Sequence, residues 1–498
     1  MSTVKISDGI IKDEVLVVGV AIKSGKGALQ IESGDMAVDA KALIATLNDL
    51  GFSGKSDEVL RIPGSTTRLM VFTGLGKAQS HYSDETLRRA AGAASRALAG
   101  NSSATFALPA STPSAVKAVA EGAALGSYLF DQFRGSTKAA QKAPLKSITV
   151  FSSLVHGAEA KSLAHHAEVI AKYTNLVRDL INTPPSHLTP VSVCEMMSAA
   201  VKEAGGASLG LKVTTFTDSQ LKSKGFGGII GVGQGSANPP RLFNISYTPK
   251  GVKSPKKYAY VGKGITFDTG GLALKPALGM EAMKSDMSGA AAVCAATIAL
   301  AILKVPVAIE AWAPLAENMV SDHATRPSDV ITIYGGKTVE VINPDAEGRL
   351  VLGDALVKAQ EAGDIDAIID VATLTGHQVV ALGKRTSAVM TNNAEFSQHF
   401  MDVTKISGES FWPMPLPADL RPTLDSPVAD IANMGERMGG MLVAGLFLKE
   451  FVSDDLPWLH LDIAGPAYND GEPHGYTPVG GTGVAFRSLI EMAIAAAS

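Results

Sequence analysis

The stretch N-P-D-A-E-G-R-L, from Asn343 to Leu350, is the part of the chain around which the fold is organised. It places two carboxylates, Asp345 and Glu347, and one guanidinium, Arg349, on alternate residues. In an extended segment, residues two apart point the same way, so the sequence predicts that these charges share one neighbourhood. Two carboxylates held that close repel each other unless a cation lies between them.

A second charged cluster lies upstream, in V-G-K-G-I-T-F-D-T-G-G-L-A-L-K-P and M-K-S-D-M-S-G, between Val261 and Gly289. It begins where an apolar run gives way to glycine, as a strand does at its C-terminal end. Its charged residues include Lys263, Asp268, Lys275 and Asp286. A buried charge is costly unless it is paired, so these groups are expected to have partners. The acids of the two clusters supply enough oxygen ligands for two hard divalent metals.

At these spacings the two clusters resemble the leucyl aminopeptidase family of dinuclear metallo-exopeptidases, the cytosol aminopeptidase type. Further stretches resemble the same family: R-D-L-I-N-T-P-P-S-H-L-T-P (178–190), G-V-G-Q-G-S-A-N-P-P-R-L (231–242), A-E-N-M (316–319), V-A-T-L-T-G (371–376) and H-L-D-I-A-G (460–465). The resemblance runs from Arg178 to the C-terminus. It implies a metal-dependent aminopeptidase that attacks the peptide with a metal-bridging hydroxide.

The resemblance also implies a role for each charged residue. One metal would be held by Lys263, Asp268, Asp286 and Glu347. The other would be held by Asp268, Asp345 and Glu347. Lys275 and Arg349 would form the non-ligand catalytic pair, with Arg349 fixing a bicarbonate that carries the proton of water. The ions would be Zn²⁺ or Mn²⁺. Because an amine ligates only when neutral, the metals are expected to pull down the pKa of Lys263.

Specificity is implied by the same resemblance. An apolar pocket for the first side chain of the peptide would be lined by Met283, Thr373, Gly376 and Ala464. Each of these residues also has a plain packing explanation, which is favoured for Ala464. A pocket containing methionine suits leucine or another apolar residue. The resemblance further implies a homohexamer.

Three positions depart from the usual family pattern. Pro344 stands where threonine is common, the pair Leu272-Ala273 replaces Ile-Ser, and His377 follows T-L-T-G where alanine is usual. Pro344 restrains Asn343 but leaves the acids after it in place. A solvent-facing ring is the favoured interpretation of His377.

Length and composition set limits on the rest. The chain has 498 residues, 46% of them hydrophobic and 18% charged, enough for more than one domain. A net charge of -4 offers no general attraction to nucleic acid. The N-terminus lacks a signal-peptide core and no uninterrupted apolar run spans a membrane, so a soluble cytoplasmic protein is expected. Cys194 and Cys294 are expected to be buried free thiols.

Hydrophobic patterning predicts an α/β protein of two domains. Residues 1–165 are expected to form a smaller N-terminal α/β domain for assembly or regulation, and residues 183–498 the catalytic domain. Residues 166–182 are expected to link the two domains as part of one long helix, 160–182. Strands are predicted at 14–21, 68–74, 105–109, 147–152, 257–262, 308–313, 367–372, 387–391 and 459–463. Helices are predicted at 84–98, 114–130, 288–303 and 350–362. The catalytic domain is expected to have a mixed sheet covered by helices, with ligands beyond the C-terminal strand ends.

Two other classes of protein remain as alternatives. The glycine-rich stretch Gly262 to Gly271 is compatible with a Rossmann oxidoreductase, although a dinucleotide turn has no need of Lys263 or Asp268. The second alternative is a non-enzymatic assembly or nucleic-acid-binding protein with a vestigial acidic cluster. A P-loop is excluded by spacing.

Overall fold

The computed structural model describes residues 2–9, 15–25, 27–65, 67–361 and 363–497. These form two compact units, the first of Met1–Asn175 with Asp470–Val479 and the second of Leu176–Asn469 with Gly480–Ser498. The predicted elements 14–21 and 350–362 each include one residue, Glu14 and Ala362, outside the described residues. The expected domain limits at 165 and 183 stay a prediction.

The first unit alternates strands and helices. Its elements are β1 (Thr3–Ser7), β2 (Val15–Ile22), β3 (Leu29–Glu32), α1 (Ala40–Asp49), β4 (Val59–Pro63), β5 (Leu69–Lys77), α2 (Asp84–Ala97), β6 (Ser103–Ala107), α3 (Pro113–Gly126), β7 (Ser147–Phe151) and α4 (Gly157–Asn182), which ends in the second unit. The strand order is β1-β7-β6-β2-β5-β4, with β3 paired to β2. The central strand β2, V-L-V-V-G-V-A-I, is buried along nearly its whole length, as expected for a parallel strand covered on both faces.

Helices α2 and α3 pack at unusually short range because both carry small residues. A Cβ on Gly122 of α3 would lie 2.0 Å from the carbonyl oxygen of Arg88 in α2. The close approach buries an ion pair in which Arg88 Nε lies 2.9 Å from Glu121 Oε2. Arg88 Nη1 also lies 2.7 Å from Glu85, so the buried guanidinium is fully compensated.

The second unit is larger. Its helices are α5 (Pro190–Ala204), α6 (Asp218–Lys224), α7 (Gly227–Gly233), α8 (Ser288–Ile302), α9 (Gly348–Gln360), α10 (Gly376–Leu382), α11 (Ala394–Ser407), α12 (Gly440–Lys449) and α13 (Phe486–Ala496). Its strands are β8 (Leu211–Phe216), β9 (Arg241–Tyr247), β10 (Lys257–Gly262), β11 (Gly264–Asp268), β12 (Ala308–Asn318), β13 (Asp329–Thr332), β14 (Thr338–Val341), β15 (Ala367–Ala372), β16 (Ser387–Thr391), β17 (Phe411–Pro413), β18 (Ile431–Ala432), β19 (Trp458–Asp462), β20 (Tyr468–Asn469) and β21 (Gly480–Gly481).

The main sheet of this unit is mixed, as predicted, with strand order β17-β16-β19-β15-β10-β12-β9-β8 and β11 paired to β12. Strands β10, β12, β15 and β19 are mutually parallel, and β11 is parallel to β12. Strand β9 is antiparallel to β12, β8 is antiparallel to β9, and β16 is antiparallel to β19. The carboxyl ends of the parallel strands therefore meet at one edge, where ligands of open α/β sheets bind.

Helix α8 is a core element. Its alanine-rich sequence is buried on every face, because small side chains let the helix lie close to the sheet. The segment Met280–Ile302 is long and apolar enough to cross a membrane, but 94% of its most apolar window is buried inside the protein. Burial of this kind is the property of a core helix. Cys194 and Cys294 are free and buried, as predicted.

Asp354 connects three elements of the second unit and makes stability depend on pH. This fully buried residue of α9 accepts hydrogen bonds of 2.7 Å from the N–H groups of Ile229 and Tyr334. Burial raises its pKa to about 7, and the backbone hydrogen bonds only partly oppose the shift. The folded chain therefore binds this proton more tightly than the unfolded chain does, so the contribution of Asp354 to stability falls as pH rises from about 4 to about 7.

Comparison with the Asp354→Asn variant isolates this effect. We expect the stability of the wild type, relative to the variant, to fall by roughly 2 to 4 kcal/mol between pH 4.5 and pH 8. Urea unfolding of both chains at several pH values, in the presence of chelator, measures the difference. A difference that does not change with pH would contradict the pKa assignment.

Candidate metal centre

The charged residues singled out from the sequence lie at one edge of the main sheet. Lys263 follows β10, Asp268 ends β11, and Thr373 follows β15. Asp286 ends the short 3-10 turn Met280–Ser285 that precedes α8. The parallel arrangement of the strands brings these positions together, although they are spread along the sequence.

Lys263 is the centre of the first half of the cluster. Its Nζ lies 2.8 Å from Asp286 Oδ2 and 2.8 Å from Glu347 Oε1, and it donates a 2.8 Å hydrogen bond to the carbonyl oxygen of Thr373. The Thr373 hydroxyl donates a 2.8 Å hydrogen bond to Asp286 Oδ1. Lys263, Asp286 and Glu347 are all buried, so solvent screens their charges very little.

Lys275 is the centre of the second half. Its Nζ lies 2.8 Å from Asp268 Oδ2 and 2.5 Å from Asp345 Oδ1. The other oxygen of Asp268 accepts 2.8 Å hydrogen bonds from Asn318 Nδ2 and from the N–H of Gly270. The Lys275 side chain is 22% exposed and that of Asp345 is 32% exposed. This half of the cluster is therefore accessible from solvent, whereas the half around Lys263 is closed.

The N-P-D-A-E-G-R-L stretch does not have the conformation expected from its alternating charges. It was predicted to be extended, but Asp345 lies in a turn in which its N–H donates a 2.9 Å hydrogen bond to Asn343 Oδ1. Glu347 is the N-cap residue of α9. A side-chain turn of this type is a favoured conformation of asparagine, and Pro344 fits it because its φ is fixed. The acids converge because of this turn and the helix start, and the prediction of an extended segment was wrong.

Two glycines leave space for the charged groups. A Cβ on Gly348 would lie 2.5 Å from Cε of Lys263. Any larger residue at this position in the first turn of α9 would therefore displace the lysine side chain. Gly270 has a φ of +84°, and a Cβ there would lie 2.8 Å from Asp345 Oδ1. Both positions therefore require glycine, because a side chain would collide with a charged group of the cluster.

The titration behaviour of the cluster follows from this crowding. Burial and the charge of Glu347 raise the pKa of Asp268, and burial raises the pKa of Asp286 well above its usual range. Burial also raises the pKa of Asp345, although Lys275 partly opposes it. Burial lowers the pKa of Lys263, but the carboxylates of Asp286 and Glu347 outweigh burial and raise it overall. In the metal-free chain Lys263 is thus the ammonium ion that holds the acids together.

The donor set fits hard divalent metals. Carboxylate oxygens of Asp268, Asp286 and Glu347 lie within 4.8 Å of one another. Among the described residues, Asp286 Oδ2, Asp345 Oδ1 and Glu347 Oε1 are buried oxygens without a hydrogen bond of good geometry, although each lies within 2.8 Å of a lysine ammonium. Four carboxylates around two ammonium groups leave an excess of negative charge, which divalent cations would neutralise.

Arg349 lies in the first turn of α9, beside the cluster but not among the acids. It is buried, and its Nη1 donates a 2.7 Å hydrogen bond to the carbonyl oxygen of Asn433. Its Nε has no hydrogen-bond partner among the described residues. Burial lowers its pKa to about 10, an effect that the charges of Glu347 and Asp462 only partly oppose. The guanidinium therefore stays charged and retains donors for an anion.

The residues expected to line a specificity pocket lie on loops next to these groups. Met283 is half-buried in the 3-10 turn that leads to Asp286, and Gly376 is exposed at the start of α10. Ala464 is half-buried, and its N–H donates a 3.2 Å hydrogen bond to Asp462 Oδ1. The N–H of Leu374, next to Thr373, donates a 3.1 Å hydrogen bond to the same oxygen. His377 is exposed, in agreement with its favoured interpretation.

Three residues of the site were not identified from the sequence. Asn318 ends β12 and binds both Asp268 and the carbonyl oxygen of Pro344. Asn433 holds the N-P-D-A-E-G turn, because its side chain accepts from the N–H of Ile342 and donates to the carbonyl oxygen of Asn343. Buried Asp462 connects two loops. The position of Asn318 at a strand end, within the A-E-N-M stretch, could have indicated a site residue. No feature of the sequence around Asn433 indicated one.

The mixed α/β sheet, together with carboxylates and lysines at the carboxyl ends of its strands, defines a class of α/β metallohydrolase. The sequence agrees with this class. Residues 175–490 match the cytosol aminopeptidase family, catalytic domain, and residues 17–137 match the N-terminal domain of the same family. The chain belongs to the cytosol aminopeptidase family.

Known proteins are similar to this chain over nearly its whole length. The probable cytosol aminopeptidase of Streptomyces coelicolor is 48% identical over 510 residues, which covers 98% of this chain and 97% of that protein. That of Streptomyces avermitilis is 49% identical and covers 97% and 96%. Among solved structures, the bottromycin maturation enzyme BotP in complex with Mn has a TM-score of 0.85 at 36% identity, covering 98% of this chain and all of that one. A tomato leucine aminopeptidase mutant has a TM-score of 0.86 at 29% identity, covering 99% and 97%.

These similarities confirm the predicted α/β fold, the resemblance on which the functional prediction rested, and the activity of a metal-dependent aminopeptidase, which is a hydrolase. A Rossmann oxidoreductase is not supported. A non-enzymatic assembly or nucleic-acid-binding protein is not supported either.

Proposed function

We propose that this aminopeptidase releases leucine and other apolar residues from the N-terminus of peptides, using two divalent metal ions per chain. The observation that carries the proposal is the convergence of Asp268, Asp286 and Glu347, whose carboxylate oxygens lie within 4.8 Å of one another. Lys263 and Asp345 complete the proposed ligand set. The two ions are Zn²⁺ or Mn²⁺, since hard oxygen ligands accept both, and a similar protein has been solved with Mn.

When bound, the metal ions would polarise the scissile carbonyl and activate a water molecule at neutral pH. The side chains of the protein position the other groups. Asp286, which the Thr373 hydroxyl holds at 2.8 Å, is proposed to fix the free α-amino group of the peptide. Because only an N-terminal residue has this group, the position of Asp286 would make the enzyme an exopeptidase.

Lys275 is proposed to stabilise the oxyanion that develops on the scissile carbonyl. Its ammonium lies between Asp268 and Asp345. Burial lowers its pKa, but the carboxylates of Asp268, Glu347 and Asp345 outweigh burial and raise the pKa overall. It is also partly exposed, and a substrate carbonyl can approach it. A fixed positive charge at this place contributes to the rate because it is oriented before the reaction.

Arg349 is proposed to hold a small anion, bicarbonate, that accepts the proton of the attacking water. Its Nη1 is fixed by Asn433 at 2.7 Å, while its Nε has no hydrogen-bond partner among the described residues. The remaining donors form a fork that suits a planar oxyanion. The two charged clusters, 261–289 and 343–350, contain no histidine, so a bound anion is the proposed base.

Met283, Thr373, Gly376 and Ala464 are proposed to line the pocket for the first side chain. The shared hydrogen bonds of the Thr373 and Ala464 loops to Asp462 support this arrangement. We further propose that the protein is cytoplasmic and assembles as a homohexamer, in keeping with the family resemblance.

The experiment that tests the proposal measures metal content and activity together. The full chain, loaded separately with Zn²⁺ or Mn²⁺, is expected to contain two ions and to hydrolyse leucine amide at least tenfold faster than glycine or glutamate amide. One ion per chain at full activity would overturn the two-metal site. Equal rates on all three amides would overturn the apolar pocket. Sedimentation of the same samples tests the hexamer.

A further inference from the structure

A cavity of about 270 Å³ lies within the first unit, outside the metal centre. It is lined by residues of the C-terminal ends of α2 and α3, by the loop before β7 and by the segment Asp470–Val479. The side chains that matter for its chemistry are those of Arg96, Lys142, Tyr128, Leu129, Pro473 and Pro478. None of the residues proposed for the peptidase reaction lines this cavity.

The cavity carries positive charge that the protein itself does not neutralise. None of the described residues lining it is acidic. Arg96 and Lys142 form no ion pair with any described residue. Asp57, whose charge acts on Arg96, is already paired with Arg89 at 2.7 Å and accepts the N–H of Gly475. Arg96 donates through Nε to the carbonyl oxygen of Gly475 at 2.8 Å, which leaves the other donors of its guanidinium available.

The helix dipole alone does not account for this arrangement. Arg96 is in the last turn of α2, where a cation is favourable. A solvated side chain would serve that purpose, yet Arg96 is partly buried, and burial lowers its pKa more than Asp57 raises it. Lys142 is not part of a helix and still lines the same cavity. A partly buried arginine and a nearby lysine, with no carboxylate in the lining of the cavity, indicate a site for an anion.

The site is formed before any ligand binds. Arg96 is fixed by Gly475, whose N–H is in turn held by Asp57. The loop that carries Lys142 is tied to the end of α2, because the N–H of Gly100 donates a 2.7 Å hydrogen bond to the carbonyl oxygen of Ala143. The carbon chain of Lys142 packs over Gly100. A fixed site loses little entropy on binding.

The size and lining of the cavity define the ligand. The volume accommodates roughly nine water molecules at about 30 Å³ each, which corresponds to a small organic molecule. Leucine, proline and valine side chains form most of the remaining wall, so an apolar body is favoured over a fully hydrated ion. We propose that this cavity binds a small carboxylate with an apolar body, its carboxylate paired with Arg96 and Lys142.

Titration calorimetry on the full chain with 4-methylpentanoate tests the proposal. We expect saturable binding to the wild type, weakened roughly tenfold or more in both Arg96→Gln and Lys142→Gln, because each removes a charged donor. The uncharged 4-methylpentanamide is expected to bind at least tenfold more weakly than the carboxylate. Arg68→Gln, which removes an arginine elsewhere in the same unit, is the matched control and should bind as the wild type does.

A carboxylate probe can also enter the peptidase site, so the design separates the two. The Lys275→Gln chain is expected to bind the probe at the cavity as the wild type does. The Arg96→Gln chain is expected to keep the peptidase activity of the wild type. Absence of binding to the wild type at about 10 mM probe would overturn the proposal, as would binding that is insensitive to both cavity substitutions. If Arg96→Gln fails to fold, Lys142→Gln decides, because Lys142 is exposed. Neither outcome affects the proposed peptidase function.

Discussion

The Glu347→Gln chain is expected to hydrolyse leucine amide on the order of 10³- to 10⁴-fold more slowly than the wild type. Glu347 is buried, its Oε1 lies 2.8 Å from Lys263 Nζ, and its carboxylate faces those of Asp268 and Asp286. The amide has nearly the same shape but removes one negative charge from the proposed metal site. A metal centre supplies several kcal/mol of transition-state stabilisation, and each 1.36 kcal/mol is about tenfold in rate.

The measurement is kcat/KM on leucine amide, with metal content determined on the same samples. Chelator is expected to abolish the activity of the wild type, and Zn²⁺ or Mn²⁺ should restore it. The Glu347→Gln chain should not recover under the same treatment. Glu361→Gln, at the other end of α9, is the matched control because Glu361 is on the surface and pairs with Lys358. A Glu347→Gln rate within tenfold of the wild type would remove Glu347 from the ligand set.

The Lys275→Ala substitution is expected to lower kcat roughly 10²- to 10³-fold with metals bound, the effect of removing one preorganised group that stabilises an oxyanion. Lys275 Nζ lies 2.8 Å from Asp268 and 2.5 Å from Asp345, at the accessible side of the cluster. Loss of a transition-state contact lowers kcat and kcat/KM alike, whereas loss of substrate binding raises KM.

Because Lys275 also compensates two acids, its removal changes metal affinity as well as chemistry. Turnover is therefore compared at saturating metal, after the ion content of the variant has been shown to equal that of the wild type. Lys275→Arg keeps the charge and is expected to retain more activity than Lys275→Ala. Near-normal turnover of the metal-loaded Lys275→Ala chain would show that Lys275 does not stabilise the transition state.

Local patterning predicted several elements of the second unit well. The strands 257–262, 367–372 and 387–391 have the predicted limits, and α8 differs by one residue. These segments are short and mostly apolar, and their burial is what the local pattern predicts. Strand β9, R-L-F-N-I-S-Y, was not predicted, because Asn244 interrupts the apolar pattern. That asparagine is buried and donates to the carbonyl oxygen of Ala311 on the neighbouring strand, a partner that no local pattern reveals.

The conformation of the charged motif was not predictable from its charges. Alternating acids suggested an extended segment, but the asparagine side chain forms a turn with the N–H of Asp345, and a helix starts directly afterwards. The predicted residues were right although the predicted local conformation was wrong. An extended strand would direct Asp345 and Glu347 to one place, and so does a turn followed by the start of a helix.

The amino-acid sequence by itself determined which chemistry is available, because the residue types of the two motifs supply the carboxylates and lysines of the site and the glycines between them. The tertiary structure alone decided how those groups are held. Asn318 reaches Asp268 across 50 positions, and Asn433 reaches Arg349 across 84. Hydrogen bonds between such distant positions depend on the order and direction of the strands in the sheet, and local residue patterns do not specify that order.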